Sequence, residues 1–235
     1  MLSRPISRKD VIGTWAGLRP LLQPGTKEGT SSAKGSREHT VASPTPGLTV
    51  IAGGKLTTYR VMAKDAVDFA LGGRAHALPS ITKTIPLAGA EGLEVLQRQA
   101  PTVARRYGSL LRELTEAVDA DPSLGKPLTG APAYLRAEVA YAVTHEGALH
   151  LDDVLMYRTR LNYEQADRGL GATDEIADIM APLLGWDDET RVREITAYRE
   201  RAEAEAAAEL EPDDESAEQV RLKAVEIAPV HRLPA

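Results

Sequence analysis

The stretch "VIAGGKLTTYRVMAKDAVDFAL", Val50 to Leu71, constrains the fold more than any other part of the chain. The short apolar run "GLTVIAGG" ends in two glycines and predicts a buried strand. From Thr57 to about Leu71 the period changes. Val61, Met62, Ala66, Val67 and Ala70 recur near 3.6 spacing, and Gly72-Gly73 supplies the stop. A strand therefore hands over to a helix through Gly53, Gly54 and Lys55. A helix start leaves about four backbone N–H groups unpaired and carries roughly half a positive charge. Glycines just before it let a ligand approach the backbone. Lys55 adds a formal charge, and Thr57 or Thr58 can cap the helix or donate a hydroxyl. The assembly suits something that becomes negative during a reaction. It is neither a Walker A loop nor GxGxxG, and a well-capped helix beside a solvated lysine accounts for the same residues equally well.

Upstream, "DVIGTWAGLRPLL" mixes β-formers with Gly17 and Pro20, and "QPGTKEGTSSAKGSREHTVASPTPG" is a loop by composition with a short strand at "REHTV". Arg19 sits among apolar residues, where an unpaired charge is costly to bury. Acids are scarce nearby, so an anionic ligand is the favoured partner, gripped in the bidentate manner of arginine. Arg37, in "SREHT", offers the same chemistry from a place that suits the surface as well. Residues 1–64 hold ten Lys or Arg against three acids, although the whole chain carries −6. A basic segment joined to an acidic one points to a phosphate or carboxylate ligand, or to attraction between the two parts.

Residues 74–90 read as a linker. Beyond it the pattern is helical throughout, at about 91–107, 109–119, 133–147, 151–157, 173–184 and 187–210, with glycines and prolines between the pieces. His145, Glu146 and His150 are spaced H-E-x-x-x-H rather than H-E-x-x-H, which puts the histidines about 500° apart around a helix, so a metal site is not expected. Asp152, Asp153, Arg158 and Arg160 are expected to pair with one another. With no cysteine there is no disulfide and no thiolate chemistry. No apolar run approaches the roughly 20 residues that span a bilayer, and the first residues lack the apolar core of a secretory signal. A soluble cytoplasmic protein is expected, with no nucleic-acid partner.

"DVIGTWAGLRPLL", "SREHTV", "GLTVIAGGKLTTYRVMAKDAVDFAL", "AEVAYAVTHEGALHLDDVLMYRTRL" and "LGWDDETRVREITAYRE", in order from about residue 10 to about 200, resemble the C-terminal portion of bacterial FAD-dependent glycerol-3-phosphate dehydrogenases, the actinobacterial type above all. The resemblance implies an oxidoreductase that converts sn-glycerol 3-phosphate to dihydroxyacetone phosphate, with FAD taking the hydride and membrane quinone the electrons. Arg19 and Arg37 would hold the substrate phosphate, although Gly35 stands where an apolar residue is expected before the Ser-Arg pair. Lys55 would act as the catalytic lysine near flavin and substrate. Gly53, Gly54, Lys55, Leu56, Thr57 and Thr58 would bind the cofactor, backbone N–H groups facing the pyrimidine end of the flavin ring.

The family's first βαβ unit, with its GxGxxG turn, has no counterpart here. The chain is therefore expected to be a piece of the enzyme, inactive alone, with an N-terminal half or a second copy as partner and peripheral contact with the inner face of the membrane. The alternative is a helical interaction module. The fold class is α+β: an incomplete FAD/substrate-binding portion with short strands at 1–75, a linker at 76–90, an all-helical domain at 91–210, and a polar acidic tail at 211–235 expected to be disordered.

Overall fold

The computed structural model describes residues 4–7, 10–14, 38–92 and 101–224. Two compact units divide the chain: Ala16–Leu87, and Met1–Trp15 together with Ala88–Ala235.

The smaller unit is a hairpin followed by a helix. Strand β1 (His39–Thr45) pairs antiparallel with β2 (Leu48–Gly53), Val41 opposite Ile51 and His39 opposite Gly53. The two residues between them are Pro46 and Gly47, and Gly47 has φ +83°. Proline fixes the first torsion and glycine supplies the left-handed one, the pattern of a type II turn. That turn splays a hairpin, and the register slips beside it, between Ala42 and Thr45. After β2 come one 3₁₀ turn (Leu56–Thr58) and helix α1 (Tyr59–Leu71), which lies back against both strands. Gly72, at φ +55°, ends α1.

The strand at "GLTVIAGG" forms as the sequence predicts, but it is not buried. Val50 is 41% exposed and Phe69, on α1, 47%. Two strands and one helix enclose too little volume for a core. Among the described residues of this unit none is buried.

The larger unit holds the core. Its elements are α2 (Pro101–Tyr107), α3 (Leu111–Ala120), β3 (Pro127–Leu128), β4 (Ala131–Leu135), α4 (Arg136–Thr144), a π-helical segment (Asp153–Arg158), α5 (Leu161–Glu164), α6 (Thr173–Leu184), α7 (Asp188–Ala208) and α8 (Asp214–Arg221). Leu128, Val139, Leu151, Leu155, Ile176, Met180 and Tyr198 pack into one cluster. Each large apolar side chain removed from water there contributes roughly 1.5–3 kcal/mol. Alanines at 140, 142, 148, 172, 177 and 202 fill the same cluster, which lets the helices approach closely in a chain so poor in aromatics.

The region is not helical throughout. Pro127 and Pro132 lack the N–H a helix needs, and Gly130 at φ +78° turns β3 back on β4. Within the stretch read as a tail, Asp213 accepts from Ser216 N–H at 2.8 Å and starts α8; 225–235 lie outside the described residues. Asp187 caps α7 in the same way through Thr190. The first residues also join this unit: the amide and hydroxyl of Thr14 both donate to Glu209 Oε1, at 2.8 and 3.0 Å. The fold is α+β, with short strands in two small sheets and a helical C-terminal region.

Candidate functional site

The turn between β2 and α1 carries Gly53, Gly54, Lys55, Leu56, Thr57 and Thr58 in one run. The glycines are half-buried and the next four residues exposed. Gly53 and Gly54 have φ +80° and +78°, a double left-handed step that any side chain would strain. A Cβ added to Gly54 would lie 2.6 Å from Met62 Sδ and 3.2 Å from His39 Cβ. Packing of α1 on the hairpin is therefore reason enough for glycine at 54, with or without a ligand.

Lys55 is extended, at φ −138° and ψ 150°. Its side chain is exposed, and no ion pair or hydrogen bond among the described residues engages its ammonium. Thr58 folds back on it: the Thr58 hydroxyl accepts from Lys55 N–H at 3.3 Å and donates to Lys55 C=O at 2.9 Å. That use leaves α1 without a side-chain cap, and its first turn contains no acid. The helix start is thus capped between Thr58 and Lys55, beside a solvated lysine, as the sequence equally allowed. The helical run opens at Leu56, so the Leu56 and Thr57 amides have no carbonyl behind them within it. Two N–H donors and an ammonium without partners among the described residues share one exposed turn with the positive end of the helix. Nothing on the turn neutralises them, and an anion or a group gaining negative charge fits there.

Behind the turn stands His39, a residue the sequence reading did not single out. Its Nε2 lies 2.9 Å from Asp65 Oδ2 on α1. No local pattern marks this pair, because 26 residues separate its members. Arg19 and Arg37 lie outside the described residues.

In the larger unit, His145 and His150 go separate ways. His145 ends α4, stacks on the Tyr141 ring at 4.4 Å and meets Thr144 Oγ1 through Nδ1. His150 Nδ1 contacts the fully buried Glu194 at 2.9 Å, and Glu194 also accepts from the Leu151 amide. The expected mutual pairing of Asp152, Asp153, Arg158 and Arg160 does not form. Asp152 pairs with Arg201 on α7, Asp153 accepts from the Leu149 and His150 amides, and Arg158 donates to Glu146 C=O. Arg160 sits at φ +62° before α5. Helix starts and neighbouring helices offered these groups better partners than they offer each other.

A cleft of about 440 Å³ lies between the π-helical segment, α7 and α8, with His150, Asp152, Tyr157, Arg201, Glu205 and Arg221 on its walls. Burial pushes the Asp152 carboxyl up against the opposing pull of Arg201. Its Oδ1 is buried without a partner. Arg201 already serves both Asp152 and Glu205, so the cleft is largely self-neutralised. The anion-ready surface is the turn at 53–58.

The family model for the C-terminal domain of alpha-glycerophosphate oxidase matches residues 80–191. Glycerol-3-phosphate dehydrogenase 2 of Mycobacterium tuberculosis is 44% identical over 241 residues, which cover 96% of this chain and 41% of the relative. The glycerol-3-phosphate dehydrogenase of Mycobacterium leprae is 43% identical over the same shares. A mitochondrial glycerol-3-phosphate dehydrogenase of Arabidopsis thaliana is 31% identical over 226 residues, 85% of this chain and 36% of the relative. The chain spans about two fifths of the length of these mycobacterial relatives. With the glycine-rich turn at 53–58 preceding a helical region that matches this C-terminal domain, the chain belongs to the glycerol-3-phosphate dehydrogenase family and carries its C-terminal part.

Proposed function

We propose that this chain supplies part of the flavin- and substrate-facing surface of an FAD-dependent dehydrogenase that oxidises sn-glycerol 3-phosphate to dihydroxyacetone phosphate and passes electrons to membrane quinone. The observation that carries the reading is the pair of Leu56 and Thr57 amides with no carbonyl behind them in the helical run, beside an exposed Lys55, in a chain 44% identical to named glycerol-3-phosphate dehydrogenases.

FAD, when bound, would accept the hydride from the carbinol carbon of the substrate. This chain's share is positional and electrostatic. The Leu56 and Thr57 amides would hold the flavin ring by hydrogen bonds, each charge-assisted bond being worth roughly 1.5–3 kcal/mol. Gly53 and Gly54 turn the backbone so that those amides point outward. Lys55 places its ammonium where negative charge develops, and Thr58 holds the turn closed through its two bonds to Lys55. Arg19 and Arg37 would bind the phosphate dianion. The remaining cofactor contacts come from parts of the family outside this sequence, so the chain alone retains no FAD.

A second reading has its own observation. Every buried residue described lies in the larger unit, so the helical region can fold and engage a partner independently of the turn.

The test is a flavin absorbance scan of the purified chain, with and without glycerol 3-phosphate, then repeated with an N-terminal dehydrogenase segment added. Bound flavin that bleaches with substrate only after mixing is the expected result. Flavin absent from both samples, while the helical circular dichroism persists, overturns the dehydrogenase reading in favour of the interaction module. Stoichiometric flavin on the chain alone overturns the claim that it needs the other segment.

A further inference from the structure

We infer that His39 and Asp65 form a latch that fixes the direction of the Leu56 and Thr57 amides, which makes His39 a positioning residue for whatever the turn binds. The inference rests on the flavin-facing reading for its ligand but not for its mechanics.

The mechanical problem lies in the two glycines. Consecutive left-handed glycines are the softest backbone a chain can offer, because no Cβ restricts either torsion. Placed between β2 and α1, they are a hinge. Donors that must meet an edge of a ring cannot swing with a hinge, since the value of pre-set donors lies in needing no reorganisation.

His39 sits where the hinge can be bridged. Its backbone is in register with Gly53, the first of the two glycines and the last rung of the ladder. Its Cβ would touch a Cβ placed on Gly54 at 3.2 Å, so it forms one wall of the turn. Its ring crosses to α1 and donates from Nε2 to Asp65 Oδ2 at 2.9 Å. The strand before the hinge is thereby tied to the helix after it. Met62 Sδ would lie 2.6 Å from the same Cβ placed on Gly54, one helical turn from Asp65, so an apolar wedge and a polar tie act on the same joint. Lys64 Nζ is 3.7 Å from Asp65 Oδ1, which leaves Oδ2 to the histidine. The His39 and Asp65 side chains are 21% and 40% exposed. The tie is therefore open to water on one side and acts by orienting the turn rather than as a large stability contribution.

The experiment compares the full chain with His39→Ala, Asp65→Ala, the double variant and His39→Gln, whose amide nitrogen can take the place of Nε2. Backbone order parameters are measured by nitrogen-15 relaxation. In the unaltered chain the amides at 53–57 should match rigid backbone, about 0.85, and each alanine variant should drop them below about 0.6. Residues 62–70 of α1 should be unchanged. The double variant should be no worse than either single one, and His39→Gln should restore the turn. Unchanged values at 53–57 would overturn the latch, as would an equal fall along the whole of 39–71, which marks a merely structural role.

Flavin binding is then read by the same variants with an N-terminal dehydrogenase segment and FAD. His39→Ala should weaken FAD about tenfold and His39→Gln less than threefold, in line with the loss and retention of one oriented donor pair. If the order parameters respond but no sample binds FAD, the latch stands and the dehydrogenase reading falls. If FAD binds and the order parameters are indifferent to His39, the latch falls and the dehydrogenase reading stands.

Discussion

Replacing Arg106 by Met should be among the most destabilising single changes in the helical unit that leave its packing volume nearly intact. Arg106, on α2, grips Glu138 on α4 with two bonds of 2.7 Å, and also donates to Ala133 C=O at 3.0 Å. Its guanidinium lies over the Tyr134 ring, 4.4 Å from the centroid. Glu138 is completely buried and accepts from the Leu135 amide besides. Removing the arginine strands a buried carboxylate whose remaining donors, the Leu135 amide and the Tyr107 hydroxyl, are neutral. Breaking a buried pair from one side costs about 3–5 kcal/mol, and because the Arg106 side chain is 26% exposed water can reach the gap, so about 3 kcal/mol is the figure to expect.

Urea unfolding of the full chain followed by far-ultraviolet circular dichroism should show that loss with no change in slope. The thermal midpoint should fall roughly 6–12 °C, at about 2–4 °C per kcal/mol for a chain of this size. The discriminating measurement is the same substitution made in a Glu138→Gln background. With no buried charge to strand, Arg106→Met should then cost about 1 kcal/mol, leaving a coupling of about 2 kcal/mol. A cost below about 0.5 kcal/mol in the unaltered chain, or an equal cost in both backgrounds, would refute the reasoning.

Glycine 108 and glycine 147 both have positive φ, +56° and +68°, yet they should differ under alanine substitution. A Cβ at 108 would sit 1.9 Å from the Gly89 carbonyl oxygen whereas one at 147 meets nothing, so Gly147→Ala should cost about 1–2 kcal/mol and Gly108→Ala more than about 3 in urea titrations. Tyr198→Phe removes a fully buried hydroxyl that donates to Arg168 C=O and accepts from Asn162; a loss of about 1–3 kcal/mol in the same assay is expected. The Thr190 amide holds the Asp187 carboxyl below its ordinary range. A depressed acid stabilises the fold above its unfolded pKa of about 4 and loses that contribution as the pH falls, so Asp187→Asn should flatten the stability profile between about pH 5 and 2 and leave it unchanged in shape above pH 6. Lys55→Met should abolish substrate bleaching of flavin in the mixed sample without altering the unfolding midpoint, since its side chain is exposed and supports no contact in the fold.

What could be read from the sequence was whatever a local pattern encodes. The glycine stop after β2, the 3.6 period of α1 and the helices from 101 to 208 each follow from neighbours a few residues apart. The β3–β4 hairpin carried a signal too, prolines at 127 and 132 around Gly130, and so did α8, where Asp213 precedes Ser216 by a capping distance; both were outweighed by the helical composition around them. The rest had no local signal. Asp152 meets Arg201 and His39 meets Asp65 only after the chain has folded, and no window of sequence joins them. The exposure of β2 is of the same kind: an apolar run states what a strand would bury, not whether anything lies over it. At the candidate site the residues of the turn were legible, but the use of Thr58 was not. It serves Lys55, closing a cap three residues ahead of the one the α-helix itself would use.

The described residues of the smaller unit hold no buried interior, and that has a calorimetric consequence. Heat capacity of unfolding rises with the apolar surface exposed, and the hairpin and α1 have little left to expose. The melting endotherm of the whole chain should therefore report the helical unit almost alone. The apolar side chains of Leu48, Val50, Val61, Val67 and Phe69 would add their share only when another surface covers them. Assembly over those side chains would then announce itself as a negative heat capacity of association, measurable by titration at several temperatures before any activity is assayed.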